Sequence, residues 1–269
     1  MDKDSFGDRM KAYEVVETGR RFLPLLPVYA RIDGRSFSSF TRGLDRPYDV
    51  AMSQAMRETT RWLVEETGAC MGYTQSDEIS LCWYSNNHQT QIFFDGRITK
   101  MVSTLAAMST AKFSSVCRVS GGELAKRADE RLPTFDARVF QLPTLDECAN
   151  SFLWRELDAT KNAISMAAQS VFSHKELQGV SGAQKQEMLF QRAGINFNDY
   201  PAFFKRGSWF ARRKNLRSLT PEELERIPEK YRPTGPVERT EVVEIDMPKF
   251  NTVTNRVGVI FYGEEPVTA

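Results

Sequence analysis

The order of strand and helix patterns in the first half of the chain constrains its fold more than any other feature. Residues 27–33 alternate apolar and polar side chains, as a half-buried strand does, and residues 49–68 repeat apolar side chains at helical spacing. Two short strands over 70–74 and 79–84, a helix over 98–117 and a strand over 137–142 follow. This order is that of a ferredoxin-like split unit, in which two helices back an antiparallel sheet. We therefore predict an α+β fold.

The second half of the chain predicts a C-terminal α/β extension. A helical pattern covers residues 145–172, either continuous or broken near Asp158, and the four prolines of 219–236 favour an exposed excursion. The other predicted elements are a leading helix over 4–17, a helix over 183–193, and strands over 203–213, 242–245 and 257–262.

Composition excludes several classes of protein. The 269 residues are 41% hydrophobic, which supports an ordinary soluble core. The start shows no signal pattern and no apolar run approaches about 18 residues, so we expect a cytoplasmic protein without membrane association. The four cysteines have no CxxC spacing, and two histidines nearly exclude a histidine metal site or a Ser-His-Asp triad. Carboxylates must therefore carry any metal chemistry.

Two carboxylates stand where predicted strands end. Asp33 closes the first strand next to a glycine, and Asp77 lies at the tip of the hairpin that Ser76, Asp77 and Glu78 form. A sheet can bring the two together, and their oxygens are the hard ligands that Mg²⁺ prefers. Two-metal sites of this kind hold their ions roughly 3.5–4 Å apart. Alternatively, each Asp only caps a turn.

The loop after Asp33 has the features of a phosphate cradle. Gly34 lets the backbone approach a ligand closely, and the amides of residues 34–38 could bind a triphosphate as a nest does. Arg46 could add a cation beside the phosphates, or it could pair with Asp49.

A second anion site is predicted at the start of the helix over 98–117. Arg97 and Lys100 oppose the helix macrodipole there, and a bound anion would remove that conflict. Ser103, one turn on, could complete a second phosphate site. Simple solvent exposure of these cations is the alternative.

Residues 203–217 form a basic and aromatic stretch although the net charge of the chain is only +1. Such a stretch could follow an RNA backbone and stack bases, or it could be a strand with solvated cations on its outer face. The candidate RNA-binding residues are Lys205, Arg206, Arg212 and Arg213.

These motifs resemble those of the tRNA-His guanylyltransferase superfamily, which adds nucleotides in the 3′ to 5′ direction. The resemblance covers most of residues 1–215. It is carried by Arg31-Ile32-Asp33-Gly34-Arg35-Ser36-Phe37, Gln75-Ser76-Asp77-Glu78, Arg46-Pro47-Tyr48-Asp49, Arg97 with Lys100 and Ser103, Phe135-Asp136-Ala137-Arg138, Trp154-Arg155, and Lys205-Arg206.

The resemblance implies a palm-like catalytic domain over 1–142, with residues 143–269 packed on it, and a homotetramer that grips tRNA. It implies two Mg²⁺ ions held by Asp33, Asp77 and the Gly34 carbonyl. We add Glu78, next to Asp77, as a further catalytic candidate, with a structural role as the alternative. ATP, GTP and other nucleoside triphosphates are the implied substrates. The implied nucleotide-binding residues are Asp33, Gly34, Arg35, Ser36, Phe37, Ser38, Arg46, Asp49, Ser76, Asp77, Arg97, Lys100, Ser103 and Asn162.

One departure from the family pattern favours a subclass. Enzymes dedicated to tRNA-His carry His-Ile-Asn-Asn-Leu-Tyr-Asn, whereas this chain has Thr160-Lys161-Asn162-Ala163-Ile164-Ser165-Met166. The pattern resembles guanylyltransferase-like proteins that repair truncated tRNA 5′ ends by base pairing. We therefore predict template-directed 5′-end repair after ATP-dependent activation. The alternatives are a dedicated tRNA-His enzyme, a nucleotidyl cyclase or usual-direction polymerase on the same palm, and a non-catalytic RNA-binding module.

Overall fold

The computed structural model describes residues 5–269. Residues 1–4 lie outside the described part. They include the first residue of the predicted leading helix and the residues on which the predicted absence of a leader rests. The helices are α1 Ser5–Thr18, α2 Phe37–Phe40, α3 Val50–Thr67, α4 Ile98–Ser120, α5 Gly122–Glu130, α6 Leu145–Gln169, α7 His174–Leu177, α8 Gly182–Ala193, α9 Ala202–Arg206 and α10 Pro221–Glu225. The strands are β1 Val28–Gly34, β2 Met71–Gln75, β3 Glu78–Trp83, β4 Phe135–Gln141, β5 Ser208–Arg217 and β6 Val237–Ile245.

One six-stranded antiparallel sheet organises the molecule, in the order β4-β1-β3-β2-β5-β6. Its first four strands and the helices α3 and α4 have the predicted split order, so the predicted α+β class is confirmed. β5 and β6 continue the same sheet beyond β2. The division at residue 142 stays a prediction, since the sheet includes strands from both sides of it.

The alternation within β1 separates two packed layers. Val28, Ala30 and Ile32 are buried in the cluster that α3 and α4 contribute to on one face. Tyr29 is buried on the other face, in the cluster that also contains Phe152 of α6. Because side chains alternate along a strand, Arg31 and Asp33 share the face of Tyr29. Helix α6 therefore packs on the face of the sheet that carries Asp33.

Local signals set the ends of the main helices. The Asp49 carboxylate accepts from the Met52 amide at 2.8 Å and caps α3, which ends at Gly68 in a left-handed conformation. Thr144 caps α6 in the same way through the Glu147 amide. α6 then runs unbroken for 25 residues. The alternative break near Asp158 is wrong, because that residue faces outward from the helix and pairs with Arg155 one turn earlier.

Two strand predictions need correction. Residues 203–213 divide into the end of α9 and the first half of β5, because Gly207, at φ +82°, ends the helix and starts the strand. Gly258–Tyr262 is a π-helical turn rather than a strand. Its apolar run is too short for periodicity to distinguish a strand from a helix.

Several elements were not predicted, among them α5. The predicted excursion over 219–236 contains the short helix α10 and is mostly exposed. No helix within residues 5–269 has the length and apolar character needed to cross a bilayer.

Candidate active site

The structure brings Asp33 and Asp77 to one end of the sheet. Asp33 pairs in register with Glu78, the first residue of β3. The Gly34 amide at the end of β1 donates to the Asp77 carbonyl oxygen at 3.0 Å. The turn between β2 and β3 has only two residues, and its first, Ser76, takes a left-handed conformation at φ +49°. The tight turn and the backbone hydrogen bond together hold Asp77 beside the end of β1.

The two carboxylates form a negative pair without a cationic partner. Burial raises the pKa of Asp77, and the nearby charge of Asp33 raises it further. Neither residue takes part in an ion pair within residues 5–269. Hard oxygens with uncompensated charge fit a divalent cation such as Mg²⁺.

The same part of the chain has no cluster of three or more His, Cys, Asp or Glu side chains that could hold a metal. The pair at Asp33 and Asp77 would therefore leave coordination positions for other oxygens. Phosphate oxygens of a bound nucleotide are suited to those positions, because Mg²⁺ in proteins is commonly held by one or two carboxylates plus substrate phosphates.

Glu78 lies beside Asp33 but is held by an arginine of α6. Arg155 donates to both carboxylate oxygens of Glu78, at 2.6 and 2.9 Å, and also to Asp158 at 2.9 Å. Burial raises the pKa of Glu78, and the Arg155 hydrogen bonds offset part of that rise. Both oxygens of Glu78 are thus engaged, and the pair ties β3 to α6 directly beneath the site.

The loop after Asp33 packs tightly at Gly34. A Cβ atom at Gly34 would lie 2.4 Å from the Phe37 ring. Phe37 is buried against Phe113 and Phe135, so the ring has little room to move. Ser36, at φ +57°, precedes the short helix α2, whose first amides have no acceptor within the helix. Arg35 and Ser38 are exposed on the same loop.

A cavity of about 350 Å³ opens over the carboxylates. We call it the carboxylate cavity. It is lined by Asp33, Gln75, Ser76, Asp77, Glu78, Arg155, Asn162, Ser165, Met166 and Gln169.

A second cavity, of about 330 Å³, adjoins the first. We call it the aromatic cavity, because Tyr48, Phe203 and Phe204 form part of its wall and their rings contact one another. Ser38 and residues 44–49 line its other side. The two cavities share Gln75, Ser76, Asn162, Met166 and Gln169. Together they form one cleft whose size suits a nucleotide, with a charged end and an apolar end.

Arg46 and Asp49 both line the aromatic cavity. The Asp49 carboxylate is used by the cap of α3 and does not form an ion pair with Arg46 in the described chain. The exposed Arg46 guanidinium is therefore available to a ligand in the cavity.

Arg97, Lys100 and Ser103 precede the part of α4 that adjoins the carboxylates. The Phe135 amide, next to Gly34 across the β1–β4 pairing, donates to the Thr110 hydroxyl of α4 at 3.1 Å. The three residues precede Thr110 by 13, 10 and 7 residues, which are separations of about 20, 15 and 10 Å along the helix axis. None of the three lines the carboxylate cavity or the aromatic cavity.

The four candidate RNA-binding cations do not form one patch. Lys205 donates to the Asn198 carbonyl, and Arg206 lies 3.9 Å from the buried Glu156 carboxylate. On β5, Arg212 donates to the Gly68 carbonyl whereas Arg213 donates to Val259. Because neighbouring residues of a strand point to opposite faces, the sheet separates these two arginines.

Sequence reasoning named Asn162 but did not identify the face of α6 to which it belongs as part of the site. Arg155, Asn162, Ser165 and Gln169 follow one another at steps of seven, three and four residues and line the carboxylate cavity. Lys185 of α8 supports this face by donating to the Ser165 hydroxyl at 3.1 Å. A polar stripe at helical spacing was the available signal, and it is visible only if the helix runs unbroken past Asp158. Asp136 and Arg138 lie 3.7 Å apart and pair with each other.

Comparison with known proteins gives consistent matches across the chain. A family model described as tRNAHis guanylyltransferase matches residues 7–143, and one described as Thg1 C terminal domain matches residues 149–249. A tRNA(His) guanylyltransferase of Schizosaccharomyces pombe is 28% identical over 228 residues, which cover 79% of this chain and 82% of the relative.

Solved structures of guanylyltransferase-like proteins also match this chain. A bacterial tRNA(His) guanylyltransferase-like protein in complex with ATP is 42% identical, with a TM-score of 0.70, and the match covers 77% of this chain and 88% of that one. A bacterial guanylyltransferase-like protein in complex with GTP is 33% identical, also with a TM-score of 0.70, over 92% of this chain and 94% of that one.

Proposed function

This chain belongs to the tRNA(His) guanylyltransferase family and is a nucleotidyltransferase, and we propose that it adds nucleotides to the 5′ end of tRNA in the 3′ to 5′ direction. ATP would first transfer AMP to a tRNA 5′-monophosphate and release pyrophosphate. The 3′-hydroxyl of an incoming nucleotide would then attack the activated 5′ phosphorus and release AMP. A 5′-triphosphate RNA would skip the first step, and its own pyrophosphate would leave.

One observation carries this proposal. Two carboxylates without a cationic partner lie at the floor of a cleft that combines a charged end with an apolar, aromatic end. A nucleoside triphosphate has the same division, with its phosphates at one end and its base at the other. The bacterial guanylyltransferase-like structures in complex with ATP and with GTP support placing a nucleotide here.

The residues at the charged end fit a pair of Mg²⁺ ions. Asp33, Asp77 and the Gly34 carbonyl would hold them, and the ions would supply neutralisation of the phosphate charge. The chain's own residues position the reactants. The Glu78–Arg155 pair fixes β3 against α6, and the Gly34–Asp77 backbone hydrogen bond fixes the turn. Positioning and charge compensation are the main contributions that phosphoryl transfer requires from a protein.

Around the nucleotide, the backbone of residues 34–38 and Ser76 would cradle the phosphates, with Arg46 and Asn162 beside them. Arg97, Lys100 and Ser103 lie about 20, 15 and 10 Å along α4 from Thr110, which adjoins the region of Gly34, and line neither cavity, so we propose that they serve such a site in another copy of the chain. The proposed homotetramer would supply that arrangement. We further propose that Lys205, Arg206, Arg212 and Arg213 contact tRNA on separate surfaces, and that the enzyme acts in the cytoplasm.

Template-directed repair is the activity that we favour within the family. It is supported by the segment Thr160–Met166 of α6, where the pattern of the dedicated tRNA-His enzymes is absent. Two residues of this segment, Asn162 and Met166, line both cavities, so the difference falls at the site itself. Addition of a single G to tRNA-His is the second candidate.

The test uses tRNAs that lack one 5′ nucleotide, with the opposing base varied, together with ATP, all four nucleoside triphosphates and Mg²⁺. We expect the wild-type protein to add the base that pairs with the opposing base. Asp77→Asn should abolish extension, whereas Asp8→Asn, the same chemical change on the exposed helix α1, should not alter it. Full extension by Asp77→Asn would reject the site. Addition of G regardless of the opposing base, and only to tRNA-His, would establish the dedicated activity. Product formed from nucleotide without RNA would indicate a cyclase.

A further inference from the structure

The rim of the aromatic cavity carries a carboxylate that the fold itself does not use. Asp45 lines the cavity and is exposed to solvent. Its backbone amide donates weakly to Asp49 at 3.4 Å, but its side chain takes part in no hydrogen bond or ion pair within residues 5–269. Asp45 therefore has free acceptor oxygens and belongs to the wall of the cavity in which a ligand would lie.

The second carboxylate of the rim differs in this respect. Asp49 accepts from the Met52 amide at 2.8 Å and from the Asp45 amide, and this pair of bonds caps α3. Its oxygens are committed to the backbone of the loop and helix. Asp45, four residues earlier, has no such structural task, so loss of its charge should leave the fold of residues 44–52 intact.

The side-chain amides of the cavity wall do not by themselves distinguish one purine from another. Gln75, Asn162 and Gln169 have side-chain amides, each of which can donate or accept according to its rotation. An ionised carboxylate, in contrast, only accepts. An ionised Asp45 therefore favours a base that offers it hydrogen-bond donors.

Guanine meets that requirement better than adenine. The Watson–Crick edge of guanine presents two adjacent donors, the ring N1–H and the exocyclic N2 amino group, to which a carboxylate can bind with both oxygens. Adenine presents one donor, the N6 amino group, next to N1, which is an acceptor and would face a carboxylate oxygen lone pair.

We propose that Asp45 is a specificity-determining residue that makes the aromatic cavity prefer guanosine triphosphate over ATP. The inference rests on the proposed function, in which this cavity takes the base of a nucleoside triphosphate. It concerns the nucleotide that this cavity selects, whether that nucleotide activates the RNA end or is added to it.

The size of the preference follows from one additional hydrogen bond to a charged group. Such a bond changes affinity by roughly 10- to 160-fold. Asp45 is exposed, so solvent competes and we expect the lower end, about tenfold.

The experiment measures dissociation constants by calorimetry for the full chain with Mg²⁺ and each of GTP, ATP, ITP and XTP. ITP keeps the N1–H donor but lacks the N2 amino group, and XTP replaces that group with an acceptor. The variants are Asp45→Asn, Asp45→Ala and the control Asp8→Asn, which makes the same charge change on α1, away from both cavities. A thermal midpoint is recorded for each variant to show that it folds.

The wild-type protein and Asp8→Asn should bind GTP about tenfold more tightly than ATP, with ITP weaker than GTP. Asp45→Ala should bring GTP and ATP together, and Asp45→Asn should gain affinity for XTP, because an amide can accept from N1–H and donate to the C2 oxygen. Equal binding of GTP and ATP by the wild type, or an unchanged ratio in both Asp45 variants, would overturn the role of Asp45 while leaving the nucleotide site in place. If no nucleotide binds at all, the proposed function fails together with this inference.

Discussion

The buried pair between Glu78 and Arg155 is the contact on which the arrangement of the site most depends. In the variant Arg155→Met, a side chain of similar length loses two hydrogen bonds to Glu78 and one to Asp158. The Glu78 carboxylate is 8% exposed and would remain buried without a counter-charge. Removing one partner of a buried pair costs about 3–5 kcal/mol, so we expect the free energy of unfolding to fall by that amount at neutral pH.

The pH dependence of this loss gives a second check. Burial raises the pKa of Glu78 even with Arg155 present, so removing the guanidinium should raise it further. A carboxyl group whose pKa is higher in the folded state than in the unfolded state destabilises the protein as pH rises through that range. The free energy of unfolding that Arg155→Met loses relative to the wild type should therefore be smaller at pH 5 than at pH 8.

Urea unfolding of four proteins at both pH values measures these effects. The double variant Glu78→Gln, Arg155→Met should recover part of the lost stability, because no buried charge is left unpaired. Arg118→Met is the matched control, since its ion pair with Asp129 is exposed on both sides and should contribute at most about 1 kcal/mol. If Arg155→Met behaves like Arg118→Met, or if the double variant is no more stable than Arg155→Met, the reasoning about a buried, uncompensated carboxylate is refuted.

Two further variants test burial and close packing. Burial raises the pKa of Glu156 to about 7, so the wild type should lose about 3 kcal/mol of stability from this group as the pH rises from 4.5 to 7. Glu156→Gln keeps an acceptor for the Phe250 amide and should flatten that part of the stability profile measured by urea unfolding. An unchanged slope in this variant would contradict the assignment. Gly34→Ala should lower stability by about 1–3 kcal/mol in thermal unfolding and weaken nucleotide binding, because its Cβ would meet the buried Phe37 ring. Gly235→Ala, whose Cβ would meet no atom within 4 Å, is the control and should change little. Equal effects of the two variants would argue against close packing at Gly34 as the cause.

The elements that the sequence predicts well are those whose signals are local. Alternation along residues 27–33 predicts β1 and the separation of Ile32 from Asp33, and these two side chains do lie on opposite faces. Asp49 and Gly68 mark the start and end of α3 because a cap and a left-handed terminus depend on a few neighbouring residues. The turn at Asp77 is local in the same sense.

The features that the sequence did not predict depend on contacts between distant segments. Arg155 follows Glu78 by 77 residues, and only the position of α6 on the sheet brings the two together. The distance of Arg97 from Gly34 likewise follows from the direction in which α4 crosses the sheet. The run 257–262 is apolar in either a strand or a helix, and the contact of Arg213 with the Val259 carbonyl is part of the tertiary packing around its helical form.

The charges of the carboxylate cavity determine what can bind there. Three carboxylates, those of Asp33, Asp77 and Glu78, and the Arg155 guanidinium line this cavity, so the formal sum of the lining charges is −3 + 1 = −2. Lys185, behind Ser165, and Arg31, whose charge lowers the pKa of Glu78, reduce this excess but do not reverse it. A triphosphate brings still more negative charge, and Arg97 and Lys100 of the same chain lie about 20 and 15 Å along the α4 axis from the part of that helix that contacts β4. We therefore predict that binding of a nucleotide's phosphates at Asp33 and Asp77 depends on divalent ions, which the oxygen ligands of those two residues suit.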